Sequence, residues 1–185
     1  MYKLLLTLFL FIGNKADAQL QKTTIPEVKL GTIEGKKIVF NVQKEVCVIV
    51  FLSPGCPLSQ KYTLTLNKLA KEFQDKVKFY GVFAEVDPDL EEYGDFRKKY
   101  DIQFNLLVDN EKQLVKTLAA SVTPEAFVLS KGKTIYYGAI DDWAIELGKT
   151  KKKATINFVR NAIQGTMANI TPVLDYIRPV GCFIE

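Results

Sequence analysis

Short apolar runs alternate along the chain with stretches that repeat their apolar residues at helical spacing. Residues 28–30 and 37–42 read as two short strands around a Glu34-Gly35 turn. Residues 45–52 contain an unbroken apolar run from Val46 to Leu52, rich in β-branched side chains, the pattern of a central strand covered on both faces. Apolar positions at Leu58, Tyr62, Leu66, Leu69, Ala70 and Phe73 then predict a helix over 57–73. The alternation continues with a buried strand at 77–84, a helix at 89–100, a short strand at 106–108, and a helix after Asp109-Asn110 running through Leu118. Strands at 126–129 and 134–137 flank Lys131-Gly132 as an antiparallel hairpin, and a helix is predicted over 152–164. Residues 165–185 read as a tail. βαβ alternation followed by a hairpin and a helix predicts one α/β domain built on a mixed sheet.

The chain ahead of this pattern has a different character. Lys3, an apolar run of about nine residues at 4–12, and the small residues of Ala16-Asp17-Ala18 predict a signal peptide cleaved after Ala18. Such a run is far short of the roughly 20 residues that span a bilayer, so no stable membrane anchor is expected after cleavage. The domain division is then 1–18 as signal peptide and 19–185 as an exported domain, periplasmic or extracellular, with its thiols in an oxidising compartment.

Composition removes several chemistries. The 185 residues include no histidine, which excludes Ser-His-Asp and Cys-His catalysis and histidine-ligated zinc, copper or haem. Twenty-five Lys and Arg against 21 Asp and Glu give a net charge of +4, spread through the chain; nucleic acid is not expected as a partner. The acidic group at 87–92 and the lysine-rich run at 149–153 read as solvated surface, the first suited to a helix start.

Three cysteines carry the remaining chemistry. Cys56, in Ser53-Pro54-Gly55-Cys56-Pro57-Leu58-Ser59, stands between the long apolar run and the first predicted helix. Unpaired backbone N–H groups and the helix dipole stabilise a thiolate there. Pro57 suits the first helical position, where its missing N–H has no partner to lose. Cys47 lies inside the apolar strand and reads as a small buried hydrophobe.

These segments resemble the thioredoxin-like redoxins, the superfamily that includes thioredoxin, secreted thiol-disulfide oxidoreductases and the alkyl hydroperoxide reductase/thiol-specific antioxidant group. The resemblance rests on the strand ending Val50-Phe51-Leu52-Ser53, the Cys56-Pro57 turn and Val122-Thr123-Pro124-Glu125-Ala126-Phe127-Val128-Leu129. It implies a thioredoxin-like fold, a central mixed β-sheet flanked by helices. It also implies a cis proline at Pro124 facing Cys56, with Pro57, Thr123 and Pro124 forming the substrate-binding wall. There the backbone of Thr123 would pair with an extended substrate segment.

The departures from that family narrow the mechanism. A thioredoxin-type reductant has a second cysteine three residues after the first, where this chain has Ser59. A peroxiredoxin has a proline seven residues before its reactive cysteine, where this chain has Ile49, so peroxidase chemistry is the weaker alternative. The copper-chaperone pattern lacks both its second cysteine, replaced by Gln60, and its histidine. The ending Gly181-Cys182 resembles a subset of secreted bacterial redoxins that also carry a Gly-x-Ile-Asp-Asp segment, here Gly138-Ala139-Ile140-Asp141-Asp142. Cys182 is therefore the candidate resolving partner of Cys56, through a Cys56-Cys182 disulfide that is either catalytic or structural. Asp141 and Asp142 are candidate proton relays. Two thiolates without a third or fourth ligand make a poor metal site, and no cofactor is expected. The expected reaction is thiol-disulfide exchange on a protein or small-molecule thiol or disulfide, catalysed by Cys56 and Cys182. The competing class is a binding module that kept the fold and lost turnover.

Overall fold

The computed structural model describes residues 24–170 and 176–185. The predicted signal peptide lies outside the described residues. Among these residues no helix is long and apolar enough to cross a membrane.

Among the described residues, strands β1 (Val28–Thr32), β2 (Lys37–Phe40), β3 (Val46–Phe51), β4 (Lys78–Phe83), β5 (Asn105–Val108), β6 (Val122–Thr123), β7 (Glu125–Ser130), β8 (Lys133–Gly138), β9 (Ala144–Glu146), β10 (Lys149–Thr150), β11 (Tyr176–Ile177) and β12 (Cys182–Phe183) alternate with four helices. The helices are α1 (Pro57–Glu72), α2 (Leu90–Lys99), α3 (Gln113–Leu118) and α4 (Phe158–Met167). The main sheet runs β11-β8-β7-β3-β4-β5-β1-β2. β3, β4 and β5 are parallel, whereas β7 pairs antiparallel with both β3 and β8. This is the mixed, helix-flanked sheet that the alternation predicts.

The period of two along β3 sets the two halves of the core. Val48, Val50 and Leu52 face a cluster that includes Tyr62, Leu66 and Leu69 of α1, Tyr93 and Phe96 of α2, and Val159 and Ile163 of α4. Cys47, Ile49 and Phe51 face the opposite layer with Leu114 and Leu118 of α3. Every residue from Cys47 to Leu52 is at most 1% exposed, which is why this strand carries no polar position. Leu66 and Leu69 are fully buried, so truncating either to alanine costs about 2–5 kcal/mol and loosens the helix that presents Cys56.

Three local differences from the sequence reading have physical causes. The last helix begins at Phe158 rather than near Lys152, because Asn157 caps it by accepting the Arg160 N–H at 2.8 Å. The residues just before the cap are held by Asp142, which accepts from the backbone N–H groups of Thr155 and Ile156 at 2.7 and 2.9 Å. The β9-β10 ribbon falls between the elements expected at 134–137 and 152–164, because strands of three residues, Ala-Ile-Glu, and two, Lys-Thr, are too short to show an alternation. The segment read as a tail after residue 164 continues α4 to Met167 and then contributes β11 and β12.

Candidate active site at the Cys56–Cys182 bridge

Where β3 ends, the chain must turn sharply to enter α1. The turn is closed by the Cys56 N–H donating to the Ser53 carbonyl at 3.1 Å and by Gln60 N–H donating to the Cys56 carbonyl at 3.1 Å. Cys56 is the N-cap residue of α1, in extended backbone geometry, with Pro57 in the first helical turn and no side chain capping the helix. Ser59 and Gln60 brace this turn. The Ser59 hydroxyl accepts the Ser53 N–H at 3.2 Å, and Gln60 Nε2 donates to the Pro54 carbonyl at 2.7 Å. The position that would hold a second motif cysteine therefore holds the buried hydroxyl that shapes the turn.

Opposite Cys56 stands β6, and the Thr123-Pro124 peptide bond is cis. The Thr123 carbonyl oxygen lies 3.0 Å from Cys56 Sγ. In the bridged form that sulfur carries no hydrogen, so this is a close contact; after reduction the thiol can donate to the same oxygen. Immediately after the proline, Glu125 is 3% exposed and turns one carboxylate oxygen back on β6. It accepts from Ser121 N–H at 2.8 Å and Val122 N–H at 3.4 Å, with the Ser121 hydroxyl at 3.3 Å. Burial pushes the Glu125 carboxyl above its ordinary range, against the downward pull of those bonds. Sequence reasoning passed over Glu125; an acidic residue beginning a strand that is otherwise apolar from Ala126 to Leu129 was the available signal.

The last segment of the chain reaches this wall through two close backbone approaches. β11 lies parallel to β8, with Ile177 beside Gly138 and the Ala139 N–H donating to the Ile177 carbonyl at 2.9 Å. Gly138 has φ +117°, and a Cβ there would fall 1.9 Å from the Ile177 oxygen. Further on, β12 pairs antiparallel with β6, placing Cys182 across from Thr123 and Phe183 across from Val122. A Cβ on Gly181 would fall 2.4 Å from the Thr123 oxygen. In this register Cys182 is disulfide-bonded to Cys56, with Cα atoms 6.1 Å apart across 126 positions of sequence. Thus the edge of Thr123, expected to receive substrate, is occupied by the chain's own β12.

A cavity of about 390 Å³ opens onto both bridged cysteines between Ala84-Glu85-Val86 and the residues of β12. Cys56 itself is 2% exposed. Cys47 is unbridged and fully buried, and burial pushes its thiol far up, out of reach of exchange chemistry.

Asp141 and Asp142 lie on a different side of α1. Asp141 accepts from the Tyr62 hydroxyl at 2.7 Å and the Trp143 N–H at 2.9 Å, and the Tyr62 and Trp143 rings meet edge to face. Burial pushes the Asp141 carboxyl up. Asp142 takes Thr155, Ile156 and Lys151 as partners, which hold its carboxyl well below the usual range. Neither carboxylate lines the cavity at the bridge. Among the described residues no cluster of three or more Cys, Asp or Glu side chains is placed to hold a metal ion.

Residues 12–138 match the AhpC/TSA family, a span of more than half the chain that contains Cys56, Thr123 and Pro124. The chain belongs to the AhpC/TSA family. Cys182 and the whole β11-β12 segment lie beyond the matched span, so the bridge joins the family's shared portion to a segment outside it. No curated protein matches the chain. Among solved structures, an uncharacterised conserved protein from Geobacillus kaustophilus superposes with TM-score 0.72 at 20% identity, covering 88% of this chain and 90% of that one. A hypothetical protein from Sinorhizobium meliloti gives the same TM-score, 0.72, at 19% identity, covering 88% and 92%. A secreted Mycobacterium tuberculosis disulfide oxidoreductase gives TM-score 0.54 at 18% identity, covering 84% of this chain and all of that one. At such identities the likeness establishes a thioredoxin-like fold for this AhpC/TSA protein.

Proposed function

We propose that the protein is an exported thiol-disulfide oxidoreductase in which Cys56 is the attacking thiol and Cys182 the resolving one. The observation that carries this reading is the Cys56–Cys182 bridge, made at a helix N-terminus and open to a cavity. The secreted disulfide oxidoreductase among the structural neighbours is consistent with it.

In the reduced protein the Cys56 thiolate is stabilised by the free N–H groups of the first turn of α1 and by the helix dipole. It attacks one sulfur of a client disulfide and expels the other as a thiolate, leaving client and Cys56 joined. Cys182, deprotonated, then attacks Cys56 Sγ; the client leaves as its second thiolate and Cys56–Cys182 is restored. Two electrons pass to the client. An external dithiol entering through the cavity returns the bridge to thiols, and the reverse sequence oxidises a client dithiol.

The test has two parts. Peptide mapping of the isolated protein without reductant should recover the peptides of Cys56 and Cys182 linked, with Cys47 alkylated only after unfolding. Turnover with a dithiol and a disulfide-bonded polypeptide should be abolished by Cys56→Ser, whereas Cys182→Ser should accumulate the covalent client adduct. Free thiols at both positions under non-reducing conditions, together with no adduct, would overturn the proposal.

A further inference from the structure

The strand that occupies the Thr123 edge is also a template for what the edge can bind. We propose that the β6 edge, where an extended substrate is expected, selects client segments in which glycine precedes the reacting cysteine and an apolar residue stands two places after it. Client and β12 exchange on this one edge, so resolution of the mixed disulfide and release of the client are a single strand exchange. This rests on the thiol-disulfide function proposed above.

The register makes the argument. A cysteine paired across from Thr123 presents its sulfur to Cys56, because that is where Cys182 stands. The residue before it approaches the Thr123 carbonyl so closely that a Cβ would meet the oxygen at 2.4 Å and its carbon at 2.8 Å. That carbonyl cannot retreat freely, since its oxygen is already 3.0 Å from Cys56 Sγ. The residue after the cysteine is unread: Phe183 is 83% exposed. The next one is read, since Ile184 packs against the apolar layer that contains Ile49 and Phe127, and its N–H donates to the Ser121 carbonyl at 3.0 Å. The edge therefore distinguishes Gly-Cys-any-apolar from other cysteine sequences.

Two further features suit the edge to exchange. Glu125 holds the N–H groups of Ser121 and Val122 from the protein side, so β6 keeps its shape when β12 departs. β12 itself is two residues long, and it is tethered upstream where β11 joins β8, five positions before Cys182 (182 minus 177). Five residues span at most about 18 Å, enough to swing off the edge and return. An incoming client must displace β12, and the returning β12 must take back the hydrogen bonds that the client used.

The test is an exchange equilibrium. Full-length Cys182→Ser protein, loaded at Cys56 as the mixed disulfide with glutathione, is titrated with the thiol peptide Arg-Pro-Val-Gly-Cys-Phe-Ile-Glu. The Cys56–peptide disulfide forms as glutathione leaves as a thiol, with no net oxidation. Replacing the peptide glycine by valine should lower the exchange constant by about tenfold or more. Replacing its isoleucine by aspartate should lower it by a similar factor, and replacing its phenylalanine by alanine should change it less than about twofold. Equal constants for all four peptides would overturn the strand proposal while leaving thiol exchange at Cys56 intact. Failure to load glutathione at all would instead refute the proposed function. Gly181→Val in the otherwise unchanged chain gives a second reading: closure of the Cys56–Cys182 bridge in a glutathione buffer should become about tenfold less favourable. Unchanged closure in that variant would also overturn the proposal.

Discussion

Reducing the bridge should lower stability by less than simple chain statistics predict, and the shortfall measures what Cys56 gains as a thiolate. The bridge closes a loop across 126 positions of sequence. For a loop of that length, the entropy removed from the unfolded chain corresponds to about 5 kcal/mol at 25 °C. Against this, the oxidised form leaves the N-terminus of α1 without any side-chain cap. A Cys56 thiolate supplies a negative charge and an acceptor there, and a cap with a favourable dipole interaction contributes about 1–2 kcal/mol. The net loss on reduction is then about 3–4 kcal/mol, which for a chain of this size lowers Tm by roughly 6–16 °C. The assay is differential scanning calorimetry of the oxidised protein, of the protein in a phosphine reductant, and of Cys182→Ser without reductant. The last two should coincide, since both leave the Cys56 thiolate free. By linkage, the folded pair should be roughly 60–90 mV more reducing than the same cysteines in the unfolded chain, measured in glutathione buffers. Oxidised and reduced proteins melting within about 1 °C of each other would refute the reasoning.

Gly138→Ala should push the Ile177 carbonyl away and cost about 1–3 kcal/mol, read as faster hydrogen exchange at the Ala139 amide, which loses its acceptor. Glu125→Gln should flatten the pH dependence of stability. Between the ordinary carboxylate value and the raised folded value, the folded protein holds a proton that the unfolded chain has released, so stability falls as pH rises through that window. Urea midpoints from about pH 4 to about pH 8 should show that fall in the wild type and a shallower one in the variant, where the raised carboxyls of Asp109 and Asp141 remain. Cys47→Ala should leave thiol exchange unchanged and destabilise the sheet by about 1 kcal/mol, measured by denaturant unfolding.

The central strand, the helix that follows it and the turn between them were legible because each obeys a strong local rule. An apolar run covered on both faces has no polar position to confuse its reading, and Cys56-Pro57 sits where helix-start chemistry places it. The resemblance supplied the cis bond at Pro124 and the pairing of Cys56 with Cys182, neither of which periodicity can show. What escaped reading was made by contacts distant in sequence. β11 and β12 are two residues each and exist because Gly138 and Gly181 admit a second backbone. Asp141 and Asp142, adjacent in sequence, diverge in space: one braces α1 through Tyr62, the other fixes the approach to α4 through Thr155 and Ile156. The Ser59 hydroxyl and the Glu125 carboxylate shape the site by bonding to backbone, a role that residue type alone does not announce.

β11 has a second consequence, for solubility. It is the outermost strand of the main sheet and covers the Tyr137-Gly138 end of β8, whose outward backbone groups there would otherwise be free to pair with another molecule. At the opposite border, β2 carries Lys37 facing solvent, a charged guard against such pairing. Because β11 joins the sheet through backbone pairing rather than through the disulfide, the reduced protein should keep that end of its border paired while β12 is away. Deleting the chain from Tyr176 onward would therefore do more than remove a thiol: it would uncover the end of β8 and invite edge-to-edge self-association, whereas Cys182→Ser would leave the protein monodisperse.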